Sequence, residues 1–263
     1  MSNVIHCKTH DGRSISFVDQ IIGSGAMKDV YFSPDKSYVV CFFNQQKNKF
    51  YSNPSEYQEQ KRRLLEIVTT KHDNLMNGMG GEYWKNTFCW PNGLVEHNNL
   101  LGIVAPSYSK EFFFEHGSSN NDSLNIKGKE KEGKWFASAS NQNRFLDDRE
   151  KGDWSKYLKI CVTLARSIRR MHAAGLAHSD LSYKNVLIDP TTGKACVIDV
   201  DGLVVPGKFP PEVVGTPDFI APEVIATSHL DKSDPKRFLP SIRTDRHALA
   251  VLIYMYLLYR HPL

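Results

Sequence analysis

The sequence is poor in several features that would each narrow its chemistry. Its five cysteines, Cys7, Cys41, Cys89, Cys161 and Cys196, are scattered, and no two form a C-x-x-C pair. That spacing argues against a zinc site or a disulfide framework. An odd count suits a reducing compartment, so a cytoplasmic protein is expected. The longest uninterrupted apolar run covers residues 248–259. It is shorter than the roughly 20 residues a bilayer-spanning helix needs and reads as a buried helix, so no membrane association is expected. Residues 1–11 are polar and hold no apolar stretch of the kind a secretory signal requires. Charge of one sign is also scarce: 33 Lys and Arg face 29 Asp and Glu, a net +4, which gives no basic field for a nucleic acid. No internal repeat is visible. Against these absences stand 263 residues, 41% of them hydrophobic, enough for one two-lobed fold or two small domains.

Residues 13–43 alternate strand-like patches with turns such as Ser33-Pro34-Asp35-Lys36. Asn53-Pro54-Ser55-Glu56 then opens a helix whose apolar residues Tyr57, Leu64, Leu65 and Val68 suit one face. A second strand pair flanks His97-Asn98-Asn99. Residues 117–152 are polar and of mixed charge, the composition of a mobile insertion. After them Tyr157, Ile160, Cys161, Leu164, Ala165, Ile168 and Met171 keep helical spacing until Gly175.

Five segments carry chemistry. In His178-Ser179-Asp180-Leu181-Ser182-Tyr183-Lys184-Asn185 a carboxylate and a carboxamide lie five residues apart on a loop between a helix and a short strand. The Asp can accept a proton from an attacking hydroxyl, and the Asn oxygen can hold a metal ion; a polar surface loop is the plainer alternative. Further on, the apolar strand Ala195-Cys196-Val197-Ile198 ends on Asp199-Val200-Asp201-Gly202, either a Mg²⁺ ligand at a strand end or a simple hairpin turn. Gly215-Thr216-Pro217-Asp218-Phe219-Ile220-Ala221-Pro222-Glu223 follows, then Thr244-Asp245 at the start of the last helix. The fifth is the glycine pair in Ile22-Gly23-Ser24-Gly25-Ala26-Met27-Lys28-Asp29-Val30. A lone glycine pair says little; five such elements in this order say much.

In that order they resemble the eukaryotic-type protein kinases, over nearly the whole chain from residue 21 onward. The resemblance implies an α+β, two-lobed protein-kinase-like fold. A small β-rich lobe with one helix would span 1–108. A mostly helical large lobe would span 109–263, stopping after its central helix. It further implies a Ser/Thr protein kinase that uses ATP and Mg²⁺ on a protein substrate. Asp180 would be the catalytic base, with Asn185 and Asp199 the metal ligands and Lys184 a charge for the transferring phosphoryl group. Ile22, Gly23, Ser24, Gly25, Val30, Val39, Pro106 and Tyr108 would line the nucleotide. Asp245 would anchor the central helix, and Thr216 is the Ser/Thr version of the substrate-side loop. Trp90-Pro91 and the Asp-Val-Asp-Gly variant look more like a bacterial kinase-like subgroup.

The chain departs from the family at the ATP-binding lysine, whose place in the run Val39-Val40-Cys41 is held by Cys41. Lys28 stands where the third glycine of the loop would be, two residues before Val30. Strand side chains alternate, so Lys28 and Val30 share a face, with Lys28 about 6.6 Å further along at about 3.3 Å per residue. A lysine relocated in this way resembles the with-no-lysine kinases; the alternative is a pseudokinase that binds nucleotide or a partner and acts by shape. Glu59, 18 residues beyond Cys41, is the expected carboxylate partner of the lysine, with Gln60 its competitor for the inward position. A small-molecule phosphotransferase is a third reading, opposed by Thr216 and the unaltered Ala221-Pro222-Glu223.

Between Asp199 and Gly215 there is no Ser, Thr or Tyr, and Ser179 replaces the arginine that would read a phosphate. Control is expected instead from a regulatory partner or from the 117–152 segment. Phosphatase treatment of the purified chain should therefore leave ATP turnover unchanged, and mass spectrometry should find no phosphate within 199–215.

Overall fold

The structure is a computed structural model, and it describes residues 3–25, 27–77, 80–203, 205, 215–231 and 234–262. Ala26 of the glycine-rich segment and most of the stretch between Asp199 and Gly215 lie outside the described residues. The chain forms two compact units, Met1–Gly81 with Cys89–Tyr108, and Glu82–Phe88 with Ser109–Leu263.

The first unit is built on a five-stranded antiparallel sheet. In chain order its strands are β3 (Ile21–Ser24), β4 (Lys28–Phe32), β5 (Tyr38–Phe43), β6 (Gly93–His97) and β7 (Leu100–Pro106), arranged β3-β4-β5-β7-β6. A hairpin of β1 (Val4–Lys8) and β2 (Ser14–Val18) precedes it. Of these, β1 escapes a reading by composition because its five residues are only half covered. The register sets Val30 opposite Cys41, Lys28 opposite Phe43, and Cys41 opposite Ile103. Directly opposed residues share a face, so Lys28, Val30, Val39, Cys41, Phe43 and Ile103 lie on one side. Tyr31, Val40, Phe42 and Val104 lie on the other, where Ile15 and Phe17 of the hairpin cover them.

The first face is closed by a helix. Pro54 starts α1 (Pro54–Glu66) with its ring at a position that needs no N–H, and the Asn53 side chain accepts from Ser55 N. Leu64 and Val68 pack with Phe43, Leu94, Leu101 and Ile103. The helix widens to a π-turn at Ile67–Lys71 and continues as α2 (His72–Met76); the indole N–H of Trp90 donates to the Ile67 carbonyl at 2.9 Å. This phase corrects one expectation. Glu59 is exposed, and Gln60, 7% exposed, takes the inward position, because it lies one helical turn before Leu64.

The second unit starts with α3 (Gly81–Thr87), whose Tyr83 and Trp84 rings sit under Arg166 and Arg170 of α6 (Trp154–Ala173). α6 packs along α8 (Ile242–Leu258), and Tyr157, Ile160, Leu164, Ile168 and Met171 form its buried stripe. Between them run the hairpin β8 (Val186–Asp189) and β9 (Lys194–Val197) and the short helix α7 (Pro222–Ala226). Residues 117–152, expected to be mobile, are folded. They contain short turns α4 (Ser119–Asp122) and α5 (Ala139–Phe145), and bury Phe136, Leu146, Lys131 and Glu150. Composition misled here because polar side chains do the holding: the Asp122 carboxylate accepts from the backbone N–H groups of Ser118, Ile126 and Lys127.

Truncating Leu64, which is fully buried, should cost about 2–5 kcal/mol of stability. Glu59→Ala should cost less than about 0.5 kcal/mol. Chemical denaturation of the two variants checks the helix phase.

Candidate active site

In the second unit the site is organised by one buried carboxylate. Asp245, 1% exposed in the first turn of α8, accepts from the backbone N–H of His178 at 2.7 Å and of Ser179 at 3.0 Å. Its Oδ2 also lies 3.0 Å from His172 Nε2. Two main-chain donors converge on it because Ser179 adopts φ 68, a left-handed conformation that costs a non-glycine residue about 1–3 kcal/mol unless its surroundings impose it. His178 in turn places Nε2 2.9 Å from the Ile198 carbonyl. A carbonyl only accepts, so Nε2 carries the proton.

The loop that follows sets Asp180. Asn185 Nδ2 donates to the Asp180 carbonyl at 2.7 Å and to its Oδ2 at 3.1 Å, while Thr216 Oγ1 donates to Oδ1 at 2.8 Å and lies 3.3 Å from Ser182 Oγ. Each carboxylate oxygen thus has one donor and keeps a lone pair for an incoming hydroxyl proton. Because the Asn185 amide nitrogen is used on Asp180, its Oδ1 is left as the ligating atom. The Asn185 carbonyl accepts from Ile198 N at 3.0 Å, tying the loop to the residue before Asp199. Asp199 is exposed with φ 59 and ψ 43, and Val200 and Asp201 after it are buried. One amide oxygen and one carboxylate make a hard, sparse donor set that fits Mg²⁺ completed by phosphate oxygens and water. Among the described residues no group of three or more His, Cys, Asp and Glu forms a cluster that would hold a metal by protein ligands alone.

Asp180 and Asn185 are therefore brought into one network, which reaches Ile198, the residue before Asp199. Lys184 is exposed, and its backbone N–H lies 3.3 Å from Ser182 Oγ. In the first unit Gly23, Lys28, Val30 and Val39 come together on the Cys41 face, with the Lys28 ammonium 5.8 Å from the Phe43 ring centroid. Ile22, Ser24 and Gly25 are exposed at the turn. Pro106 ends β7 opposite Tyr38, and Ser107 Oγ donates to the Lys36 carbonyl at 2.7 Å shortly before Tyr108 closes the unit. Glu59 is not brought to this face.

Sequence reading missed a brace beneath the loop that carries Asp180 and Asn185. Lys131, almost fully buried, pairs with Glu150 at 2.9 Å and Asp189 at 3.0 Å. Glu150 also accepts from the N–H of His116 and Gly117, and Asp189 from the hydroxyls of Thr191 and Thr192. The Lys131 carbonyl accepts from Ile188 N, Glu132 bridges to Leu187, and Lys134 N donates to the Tyr183 carbonyl. The segment adds an edge to the hairpin that carries Asn185 into β8. Gly133 fits only because it has no side chain: a Cβ there would lie 1.9 Å from the Tyr256 hydroxyl. No motif spacing announces three charges 58 and 39 residues apart.

The model of the protein kinase domain matches residues 131–263. The chain belongs to the protein kinase family. It is similar to the serine/threonine-protein kinase PknD of Chlamydia pneumoniae, 25% identical over 92% of this chain and 24% of that protein. It is also similar to a dual serine/threonine and tyrosine protein kinase of Apis mellifera, 32% identical over 30% of this chain and 8% of that protein. The chain thus spans a quarter or less of the length of these curated relatives. Among solved structures, a Toxoplasma gondii virulence factor described as having a protein-kinase fold and no enzymatic activity superposes with a TM-score of 0.57 at 13% identity, covering 99% of this chain and 69% of that one. That likeness concerns the fold, which is the small β-sheet lobe and mostly helical large lobe expected from the sequence.

Burial pushes the Asp189 carboxyl up, but hydrogen bonds from Thr192, Lys131 and Thr191 and the Lys131 charge outweigh it, so it titrates below the usual carboxylate range. A depressed folded pKa contributes stability that is present above the unfolded value, about 3.9, and is lost as pH falls through the folded one. The second unit should therefore weaken below about pH 4, and Asp189→Asn should be less stable at pH 7 while losing much of that acid dependence. Melting temperatures of both proteins across pH 3–7 check it.

Proposed function

We propose that the chain transfers the γ-phosphoryl group of ATP to a Ser or Thr hydroxyl of a protein. The observation that carries this is the Asp180 carboxylate, fixed on one oxygen by Asn185 and on the other by Thr216. Asp180 orients the substrate hydroxyl and accepts its proton. Thr216 lends the site its leaning to Ser/Thr, in keeping with the name of the Chlamydia relative. Asn185 and Asp199 would hold Mg²⁺, which supplies charge neutralisation on the phosphates. Ile22, Gly23, Ser24 and Gly25 cover the phosphates, Val30 and Val39 the base, and Pro106 and Tyr108 its outer edge. Lys184 and Lys28 offer ammonium groups to the transferring and bound phosphates. Catalysis is positioning and charge stabilisation more than covalent chemistry. The five free cysteines support a reducing, cytoplasmic setting, and the lack of a phosphorylatable residue in 199–215 supports control by a partner protein.

The lysine is the point on which the reading turns. Cys41 shares its face of the sheet with Lys28, directly beside the Val30–Cys41 pair, which supports a relocated lysine like that of the with-no-lysine kinases. A nucleotide-binding pseudokinase is the second reading. It is favoured by Cys41 and by Gln60, which leaves no carboxylate at the inward position of α1.

Single-turnover transfer from radiolabelled Mg-ATP to mixed Ser, Thr and Tyr peptides separates the two, once each variant is shown to be folded. Asp180→Asn should lower the rate about 10²- to 10⁴-fold. Lys28→Met should lower it about 10- to 200-fold, from a charge-assisted hydrogen bond of about 1.5–3 kcal/mol. Cys41→Ala should stay within a few fold. Equal rates for Lys28→Met and Cys41→Ala would end the relocated-lysine reading. ATP binding without transfer in the unsubstituted chain would establish the pseudokinase.

A further inference from the structure

The glycine-rich turn is held by polar groups that phosphoryl transfer itself does not call for. Ser24 Oγ donates to Asp29 Oδ1 at 2.6 Å, and Asp29 Oδ2 accepts from Asn44 Nδ2 at 2.9 Å. Lys47 Nζ donates to Ser24 Oγ at 3.1 Å and to the Gly25 carbonyl at 3.0 Å. Asn48, 3% exposed, donates through Nδ2 to the carbonyls of Met27 and Asn44, each at 2.8 Å. The Asn44 backbone N–H also donates to Met27 O at 2.9 Å, and Gly25 N to Lys28 O closes the turn at 2.9 Å. Residues 44–48 thus grip both limbs of the turn. A run containing Gly23 and Gly25 loses much conformational freedom when it is ordered around a ligand. Here much of that ordering is already done before any ligand arrives, which is the condition for tighter binding without new contacts.

The side on which the grip acts is set by register. Ser24 lies opposite Asp29 on the face of the sheet away from Lys28 and Val30, so these bonds leave the Lys28 face to the ligand. A carboxylate so near a phosphate-binding turn would repel its ligand. Hydrogen bonds from Ser24 and Asn44 and the Lys47 charge hold Asp29 ionised, and the same ammonium offsets its field.

We propose that residues 44–48 clamp the two described limbs of the glycine-rich turn, Ser24–Gly25 and Met27–Asp29, as a phosphate cradle, with Asn48 and Lys47 as positioning residues. This rests on the phosphotransfer reading. Calorimetric titration of the folded chain with Mg-ATP and with adenosine tests it, together with hydrogen exchange of the amides of 23–29. Asn48→Ala and Lys47→Met should weaken ATP about 5- to 20-fold and adenosine less than about twofold, with faster exchange in the turn; each lost hydrogen bond corresponds to about a fivefold effect. Lys47→Arg should keep most of the affinity. Unchanged ATP affinity in both variants overturns the clamp, as does equal weakening of ATP and adenosine, which marks a general loosening of the unit. An arginine variant as weak as the methionine one removes Lys47 from it. If the unsubstituted chain binds no ATP at all, the phosphotransfer reading itself falls, and the clamp has no ligand to hold.

Discussion

The carboxylate of Asp245 is the constraint on which the second unit depends. Buried at the start of α8, it satisfies the N–H groups of His178 and Ser179, two donors that have no strand or helix partner of their own. A buried N–H without a partner costs about 1–3 kcal/mol, and Ser179 is held in a left-handed conformation besides. The loop can keep this shape because the carboxylate repays both costs at one point. From there the order propagates by single hydrogen bonds: His178 to Ile198, Ile198 to Asn185, Asn185 to Asp180, and Thr216 to Asp180 from the other side. The Asp180 carboxylate is thereby set by a helix more than sixty residues later in the chain.

The brace of Lys131, Glu150 and Asp189 serves the same loop from beneath. Its net charge is one unit negative in a buried place, an arrangement that is tolerable only when backbone and hydroxyl donors share the load, as His116, Gly117, Thr191 and Thr192 do. Such a network specifies one arrangement because any slip leaves a charge unpaired. Its position at β8 means that the polar segment 117–152, far from being a loose excursion, is part of the support for Asn185.

The two units handle polarity differently. In the second, buried charge fixes a loop around an acid. In the first, apolar side chains pack against both faces of the sheet, and one polar group, Asp29, Asn44, Lys47 and Asn48, holds the glycine-rich turn. Cys41 stands near the centre of that sheet, opposite Val30 on one side and Ile103 on the other.

The order of motifs, and with it the protein kinase fold, was legible in the residues alone, because the family carries particular functional groups at short, fixed spacings. The same holds for the strands 38–43 and 100–106 and for the stripe of α6, which follow from period-2 and helical patterning. Spacing could also put Lys28 in phase with Val30. It could not choose between Glu59 and Gln60, since adjacent helical residues differ by only about 100° in direction, and the packing of Leu64 against the sheet made the choice. Nor could it show that 117–152 is folded, because Lys131, Glu150 and Asp189 meet only once the chain has closed loops of tens of residues. Contacts of that range leave no period in the sequence, and tertiary structure alone brings them within hydrogen-bonding distance.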